Sequence, residues 1–289
     1  MVDEGSLAAA GRRVGRSPAA MTRALAALEA SAGVRLFERT TRRLRLTEAG
    51  ARYVRVARRL LAEADALADV TQMDDAPAGL LTLTAPRTAG ADILRPILHA
   101  FLDEHPRIQA RLLLLDRVIN LVEEGFDAAL RLAHLPDSNL VAVRVGSVRR
   151  VVCASPAYLA GHRPIKRPSD LAAHDVIGLA ETRQETVWSF ARGRTVRLSP
   201  RLAINSIAGA RASAIEGRGV ARLLSYQIAD DVRAGRLIVL LEDFEPPPLP
   251  AHLVAPKDRL VLPKTRALVD FATPRLKAVL AAKQLPAAA

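Results

Sequence analysis

Cysteine and long apolar runs are the two features that this 289-residue sequence most clearly lacks. A single cysteine, Cys153, excludes a disulfide framework and a zinc site built from several thiolates. No apolar stretch approaches the roughly 18 residues that a membrane helix needs. The N-terminus is acidic and is then followed by small residues, which is the wrong order for a secretory signal. We therefore expect a cytoplasmic protein of about two domains that does not associate with membranes.

Positive charge is concentrated near the start of the chain. Lys and Arg exceed Asp and Glu by 12 in the whole sequence, and 37 of the 42 cations are arginine. The segment 11–59 holds 13 arginines and only three glutamates, a net charge of +10, so the remaining residues share +2. Codon bias would raise arginine everywhere, whereas this charge is local. Such a distribution is typical of a surface that binds a polyanion, most often nucleic acid.

The basic segment carries the pattern of a winged helix-turn-helix. Ser6–Val14 and Pro18–Ala32 predict two helices joined at Gly15, with Ser17 as a cap and Pro18 in the first turn. The second helix would place Met21, Leu25 and Leu28 inward and its small and basic residues outward, toward a major groove. Alternating apolar residues at 34–36 and 44–46 then predict a hairpin, the wing, with an arginine-rich tip. The residues predicted to contact double-stranded DNA are Ser17, Ala19, Ala20, Thr22, Arg23, Arg39, Arg42 and Arg43.

A long helix and an α/β region follow the predicted wing. Thr47 is expected to cap a helix running to about Gln72, whose apolar stripe favours pairing with a second copy. Acid, proline and glycine at Asp74–Gly79 mark a boundary. Beyond it, strand and helix patterns alternate, which predicts a mostly parallel sheet covered by helices. A second such set begins near Val148, and a helix at about Pro263–Leu280 ends the fold.

These segments resemble the LysR-type transcriptional regulators. The resemblance is carried by RRVGRSPAAMTRALAALEASAGVRLFERTTRRLRLTEAG in the basic region and by VVCASPAYLA and GVARLLSYQIADDVRAGRLIVLLEDFEPPPLP beyond it. It implies a winged helix-turn-helix domain (1–46), a linker and dimerisation helix with a hinge (47–79), and an effector-binding domain (80–289). The last would resemble type 2 periplasmic binding proteins, with one subdomain at about 80–146 and 251–289 and a second at about 147–250. The family pattern begins upstream of Val2, so most of its first helix is expected to be truncated here.

Ligand-binding residues are expected where strands end beside the crevice between the two subdomains. A hydroxyl group near a helix N-terminus suits a carboxylate effector, and an arginine at a strand end could pair with an anion. Helix capping and ordinary surface exposure are the competing explanations for these residues. The predicted effector-binding set is Pro86, Arg87, Thr88, Arg131, Asn205, Ser206 and Ser225.

The sequence therefore predicts a DNA-binding transcriptional regulator that is controlled by a small-molecule effector. The resemblance implies homodimers that pair into homotetramers. Neither the histidines nor any other residues form a metal-binding or catalytic pattern, so no metal, cofactor or enzymatic activity is expected. Two alternatives stay open: a truncated regulator that assembles and binds ligand but binds DNA weakly, and a solute-binding protein.

Overall fold

The structure is a computed structural model that describes residues 1–2, 4, 6–39, 44–71, 77–117, 119–135, 140–179 and 186–285. Residue contacts divide the chain into two units. The first unit contains residues 1–73 and 119–125, and the second contains residues 74–118 and 126–289. Within the described residues, no helix combines the length and apolar character needed to cross a bilayer.

The first unit begins with the predicted pair of helices, a hairpin and a long helix. Ser6 caps α1, and Thr47 accepts a hydrogen bond from the Gly50 amide at the start of the long helix, at 2.9 Å. The predicted order of these elements is confirmed, although β1 lies slightly later than the Val34–Leu36 pattern suggested. The five elements are α1 (Leu7–Arg13), α2 (Pro18–Ala32), β1 (Phe37–Arg39), β2 (Leu44–Leu46) and α3 (Glu48–Thr71).

A small core holds these five elements together. Met21, Leu36 and Phe37 are buried, and the carboxylate of Glu29 accepts the backbone N–H groups of Leu36 and Phe37 at 2.7 and 3.1 Å. That contact ties the end of α2 to the start of the hairpin. The prediction that Leu28 points inward is wrong, because its side chain is 37% exposed.

A Cβ atom at Gly50 would lie only 1.9 Å from the carbonyl oxygen of Leu36. The first turn of α3 can therefore approach the Leu36 backbone only because residue 50 has no side chain. This close approach fixes the path of the chain from the hairpin into α3.

The second unit contains two five-stranded sheets and a separate two-stranded hairpin. In chain order the helices after α3 are α4 (Arg87–Ala89), α5 (Arg95–Glu104), α6 (Leu121–Glu124), α7 (Pro156–Ala160), α8 (Ile207–Ile215), α9 (Ser225–Arg233) and α10 (Pro263–Ala282). A π-helical turn, Gly90–Leu94, joins α4 to α5, and α6 falls in the first unit. The strands are β3 (Gly79–Ala85), β4 (Ile108–Leu114), β5 (Ala128–Leu132), β6 (Leu140–Val148), β7 (Arg150–Ala154), β8 (Val176–Leu179), β9 (Thr186–Ser189), β10 (Thr195–Leu198), β11 (Leu202–Ile204), β12 (Val220–Leu224), β13 (Ile238–Leu240) and β14 (Leu249–Pro256).

Both large sheets mix parallel and antiparallel pairs. The first sheet has the order β4-β3-β5-β14-β6, in which β3 pairs in parallel with β4 and β5 while β14 runs antiparallel to β5 and β6. The second has the order β11-β8-β12-β7-β13, with β7 antiparallel to both neighbours. The prediction of a mostly parallel sheet is therefore wrong for these pairs, because β6, β7, β13 and β14 connect the sheets without helical crossovers.

Each large sheet has its own core. Leu83, Phe101 and Leu276 are buried on the first sheet, whereas Val151, Ile177 and Leu223 are buried on the second. The chain crosses between the sheets at residues 148–150 and again at 240–249. The sequence pattern at Arg117–Glu124 predicts a helix, but α6 begins only at Leu121, where the Asn120 side chain accepts the Val122 and Glu123 amides.

Candidate nucleic-acid interface and effector cleft

A tight turn sets the orientation of α2 relative to α1 in the first unit. Gly15 has a φ of 66°, a left-handed conformation that glycine adopts without steric cost. Ser17 then accepts the Ala20 amide at 3.2 Å, and Pro18 occupies the first helical position. Together these residues end one helix and begin the next within a few positions, as a helix-turn-helix requires.

The exposed face of α2 carries the side chains that the sequence predicts for DNA contact. Ala19, Thr22 and Arg23 are exposed and Ala20 is half-buried, whereas Met21 faces the core. The Thr22 hydroxyl donates to the Pro18 carbonyl at 3.0 Å. Small residues beside an arginine leave room for the helix backbone to enter a major groove.

The hairpin that follows is antiparallel, with Phe37 opposite Leu46 and Arg39 opposite Leu44. Arg39 is the last residue of β1, while Arg42 and Arg43 lie outside the described residues. Arg16, in the turn before α2, and Arg45, on β2, are also exposed. Sequence reasoning missed these two arginines individually, because only the total charge of the segment pointed to them.

A cavity of about 960 Å³ lies between the two sheets of the second unit. It is lined by residues that follow β3, β4 and β11 and by the start of α9. Four predicted residues, Arg87, Thr88, Asn205 and Ser206, meet here although more than a hundred positions separate the two pairs. The complete lining is Arg87, Thr88, Ala91, Asp92, Leu114, Leu115, Asp116, Arg117, Asn205, Ser206, Ile207, Ala208, Arg211 and Gln227.

Two arginines of the cavity already have carboxylate partners within the chain. Asp116 accepts the backbone N–H of Arg87 at 2.9 Å, and its second oxygen lies 3.4 Å from the Arg87 Nε. Arg211 donates through both Nε and Nη2 to Asp231, which is fully buried and also accepts Arg236. Burial alone would raise the pKa of Asp231, but the hydrogen bonds from Arg211 and Arg236 outweigh it and lower that pKa.

Tyr226 and Gln227 join the cavity to the packed interior. Gln227 accepts the Leu224 amide at 2.9 Å and donates to the Tyr226 hydroxyl at 3.2 Å. Burial raises the pKa of Tyr226 to about 12, and the nearby carboxylates of Asp92 and Asp116 add to that increase. Tyr226 is therefore an uncharged hydrogen-bonding group at neutral pH.

Three predicted effector residues are not among those lining the cavity. Pro86 immediately precedes the helix that begins at Arg87, so it borders the lining without contributing to it. Arg131 lies on β5 opposite His252 of β14. Ser225 is buried at the start of α9, where its hydroxyl accepts the Arg149 amide at 3.0 Å.

Sequence reasoning also missed several residues of the cavity. Asp116 and Arg117 follow β4, and the rule that placed Thr88 after β3 would have found them. Asp92, Arg211 and Gln227 lie within or at the start of helices, so their approach to the cavity depends on the packing of the two sheets. Within the described residues, no group of three or more His, Cys, Asp or Glu is arranged to hold a metal ion.

The presence of these two units in one chain indicates a class of protein. A basic winged helix-turn-helix and an α/β unit with a ligand-sized cleft in the same chain are typical of DNA-binding regulators that respond to small molecules. The chain belongs to the family of LysR-type transcriptional regulators. A family model described as bacterial regulatory helix-turn-helix protein, lysR family, matches residues 1–51, and one described as LysR substrate binding domain matches residues 74–277.

Relatives and solved structures agree with this assignment. The chain is 32% identical to the transcriptional regulator PtxR of Pseudomonas aeruginosa, over 93% of this chain and 88% of the relative. The structure of CrgA, a LysR-type regulator from Neisseria meningitidis, has a TM-score of 0.63 at 32% identity and covers 95% of each chain. The Vibrio cholerae virulence activator AphB has a TM-score of 0.64 at 26% identity, covering 94% of each. The chain is accordingly a DNA-binding regulator with an effector-binding domain, and these comparisons give no support to the alternatives.

Proposed function

We propose that α2 is the recognition helix and that it enters the major groove of an operator with Ala19, Thr22 and Arg23 foremost. The exposure of this face, on a capped helix within a segment of net charge +10, is the observation that carries the proposal. Ser17 and Ala20 would lie beside the sugar-phosphate backbone of the DNA at the edge of the groove. Arg39, Arg42 and Arg43 of the wing would contact phosphates or the minor groove.

We also propose the domain division predicted from the sequence: 1–46 for DNA binding, 47–79 for linking and dimerisation, and 80–289 for effector binding. A homotetramer, which is consistent with LysR structures, would present paired recognition helices to a two-fold symmetric operator. Because it acts on chromosomal DNA, the protein would work in the cytoplasm. It would act by binding rather than by turnover of its effector.

The cavity between the two sheets is the proposed effector site. Thr88, Asn205 and Ser206 would offer uncharged hydrogen-bond donors there, which suits an effector with a carboxylate. The effector must favour one arrangement of the two subdomains over another, since equal affinity for both would change nothing. Pro86, Arg131 and Ser225 would support the site from outside its lining.

The salt dependence of DNA binding tests the proposed recognition surface. Raising salt from about 50 mM to about 200 mM should lower operator affinity roughly a thousandfold, because phosphate contacts release counterions. Arg23→Ala should weaken binding, while Arg163→Ala, an exposed arginine of the second sheet region, should leave affinity unchanged. Filter binding or fluorescence anisotropy would measure both effects. A flat salt response, or equal losses in the two variants, would contradict the proposal.

A further inference from the structure

The charges that line the effector cavity are nearly all matched within the chain. Three arginines line it, and two of them, Arg87 and Arg211, contact carboxylates of Asp116 and Asp231 respectively. A ligand carrying only negative charge would compete with these resident carboxylates. Asp116 is the more direct competitor, because it already holds the backbone amide and the guanidinium of Arg87.

Asp92 differs from the other carboxylates of the cavity. It lies in the π-helical turn between α4 and α5, and its side chain is exposed to the cavity. Within the described residues it has no hydrogen bond and no ion pair within 4.0 Å. Its negative charge nevertheless interacts with Arg211 and Tyr226, because it contributes to raising the pKa of each. The cavity therefore presents one carboxylate that a ligand cation could satisfy.

The side of the cavity at the start of α8 is rich in hydrogen-bond donors, and Arg211, further along α8, is paired with Asp231. Asn205 is exposed there. Ile207 and Ala208 belong to the first turn of α8, and the backbone N–H groups of a first turn have no acceptor within their own helix. Ser206 caps this helix by accepting the Gly209 amide at 3.2 Å. A carboxylate suits this side, whereas a cation suits the side of Asp92.

We propose that the effector is a zwitterion of the amino-acid class whose protonated amine binds the carboxylate of Asp92 and whose carboxylate faces Asn205. This inference rests on the proposed effector site. The carboxylates of Asp92 and Asp116 line the cavity beside its guanidinium groups, and a ligand that brings one cation and one anion adds no net charge to it. A cavity of about 960 Å³ has room for such a molecule with a sizeable side chain.

The test compares matched probes on the full-length chain by thermal shift and calorimetry. The common protein amino acids are screened at millimolar concentration, and each is accompanied by its deaminated acid and its decarboxylated amine. We expect an amino acid to bind more tightly than both of its analogues. Asp92→Asn should weaken that binding about tenfold or more, since a charged hydrogen bond is lost. Asp103→Asn, an exposed carboxylate on α5 away from the cavity, should not change it.

The outcomes separate this inference from the site on which it rests. If deaminated acids bind best, lose affinity in Asn205→Ala and keep it in Asp92→Asn, the proposed contact between a ligand amine and Asp92 is rejected. The proposal that the cavity is the effector site is then kept. If no amino acid, acid or amine gives a shift that Asn205→Ala or Asp92→Asn removes, the amino-acid class is rejected and the cavity loses its support as the effector site. An amino acid whose binding is equally weakened by Asp103→Asn would also overturn the proposal.

Discussion

In the first unit, most of the side chains proposed to meet DNA lie on one helix and the hairpin after it, whereas the effector cavity of the second unit collects residues from four separate segments. Among the described residues before α3, the buried hydrophobic side chains of the first unit are Ala10, Met21, Leu36 and Phe37. The second unit buries an extensive core on each of its large sheets. A DNA-binding surface can thus be formed by neighbouring residues of the chain with exposed positive charge. A ligand-binding cavity requires long-range packing between distant segments.

The largest expected effect tests whether the first unit depends on the close contact between Gly50 and Leu36. Gly50→Ala would place a methyl group within 1.9 Å of the Leu36 carbonyl oxygen, so the hairpin or α3 must move. We expect this to destabilise the unit by about 3 kcal/mol, as overpacking does, and to weaken operator binding. Gel-shift titration and circular dichroism would measure the two effects.

The control for this change is the neighbouring residue. Ala51 is exposed, so Ala51→Ser should leave operator affinity near that of the parent. Probe binding in the effector cavity should be the same in both variants if the two units are stabilised separately. Equal operator affinity in Gly50→Ala and the parent chain would show that the contact with Leu36 does not constrain the DNA-binding elements of the first unit.

The same contrast explains what the sequence could predict. The helix-turn-helix is set by neighbouring residues, so Ser17, Pro18 and Gly15 identified α2 with its observed bounds. In the second unit, local rules placed Thr88 and Ser206 after strands but could not show that Ser225 points to Arg149. Nor could they show that β14 returns to the first sheet antiparallel, because that pairing joins residues more than a hundred positions apart.

A second prediction addresses the crossings between the two large sheets. Arg149 lies at the first crossing and donates to Glu242 at 2.5 Å and to both oxygens of Glu245 at 2.7 Å, in the second crossing. The hydrogen bond to Glu245 is the main reason why the pKa of Arg149 is raised. Arg149→Met removes these bonds and leaves two carboxylates unpaired, which should cost about 2 kcal/mol of unfolding free energy.

Urea denaturation of the full chain would measure this loss, and Arg163→Met, an exposed arginine, serves as the control. We expect ligand binding to weaken in Arg149→Met as well, because the crossings set the arrangement of the two sheets around the cavity. Operator affinity without ligand should change less. A variant as stable as the parent would mean that the crossings do not depend on this cluster.

The smallest expected effect is a dependence of stability on mildly acidic pH. Burial lowers the pKa of His174 below its ordinary value of 6.5, and the charge of His162 adds to the decrease. Tyr158 accepts the Asp175 amide at 3.0 Å, so its hydroxyl proton is available for the Nδ1 of His174, 3.2 Å away, while that nitrogen is unprotonated. Between the lowered pKa and 6.5 the unfolded chain binds more protons than the folded one, so stability should fall as pH decreases through this window.

His174→Gln tests the contribution of this one residue, since glutamine can accept the Tyr158 hydroxyl and does not titrate. Between about pH 7.5 and about pH 5.5 the variant should lose less of its thermal stability than the parent. The remaining loss is expected to include His252, whose pKa is also lowered, mainly by burial. His99→Gln, an exposed histidine on α5, should follow the parent. If His174→Gln and His99→Gln give the same pH profile, the hydrogen bond to Tyr158 does not control the acid sensitivity of the second unit.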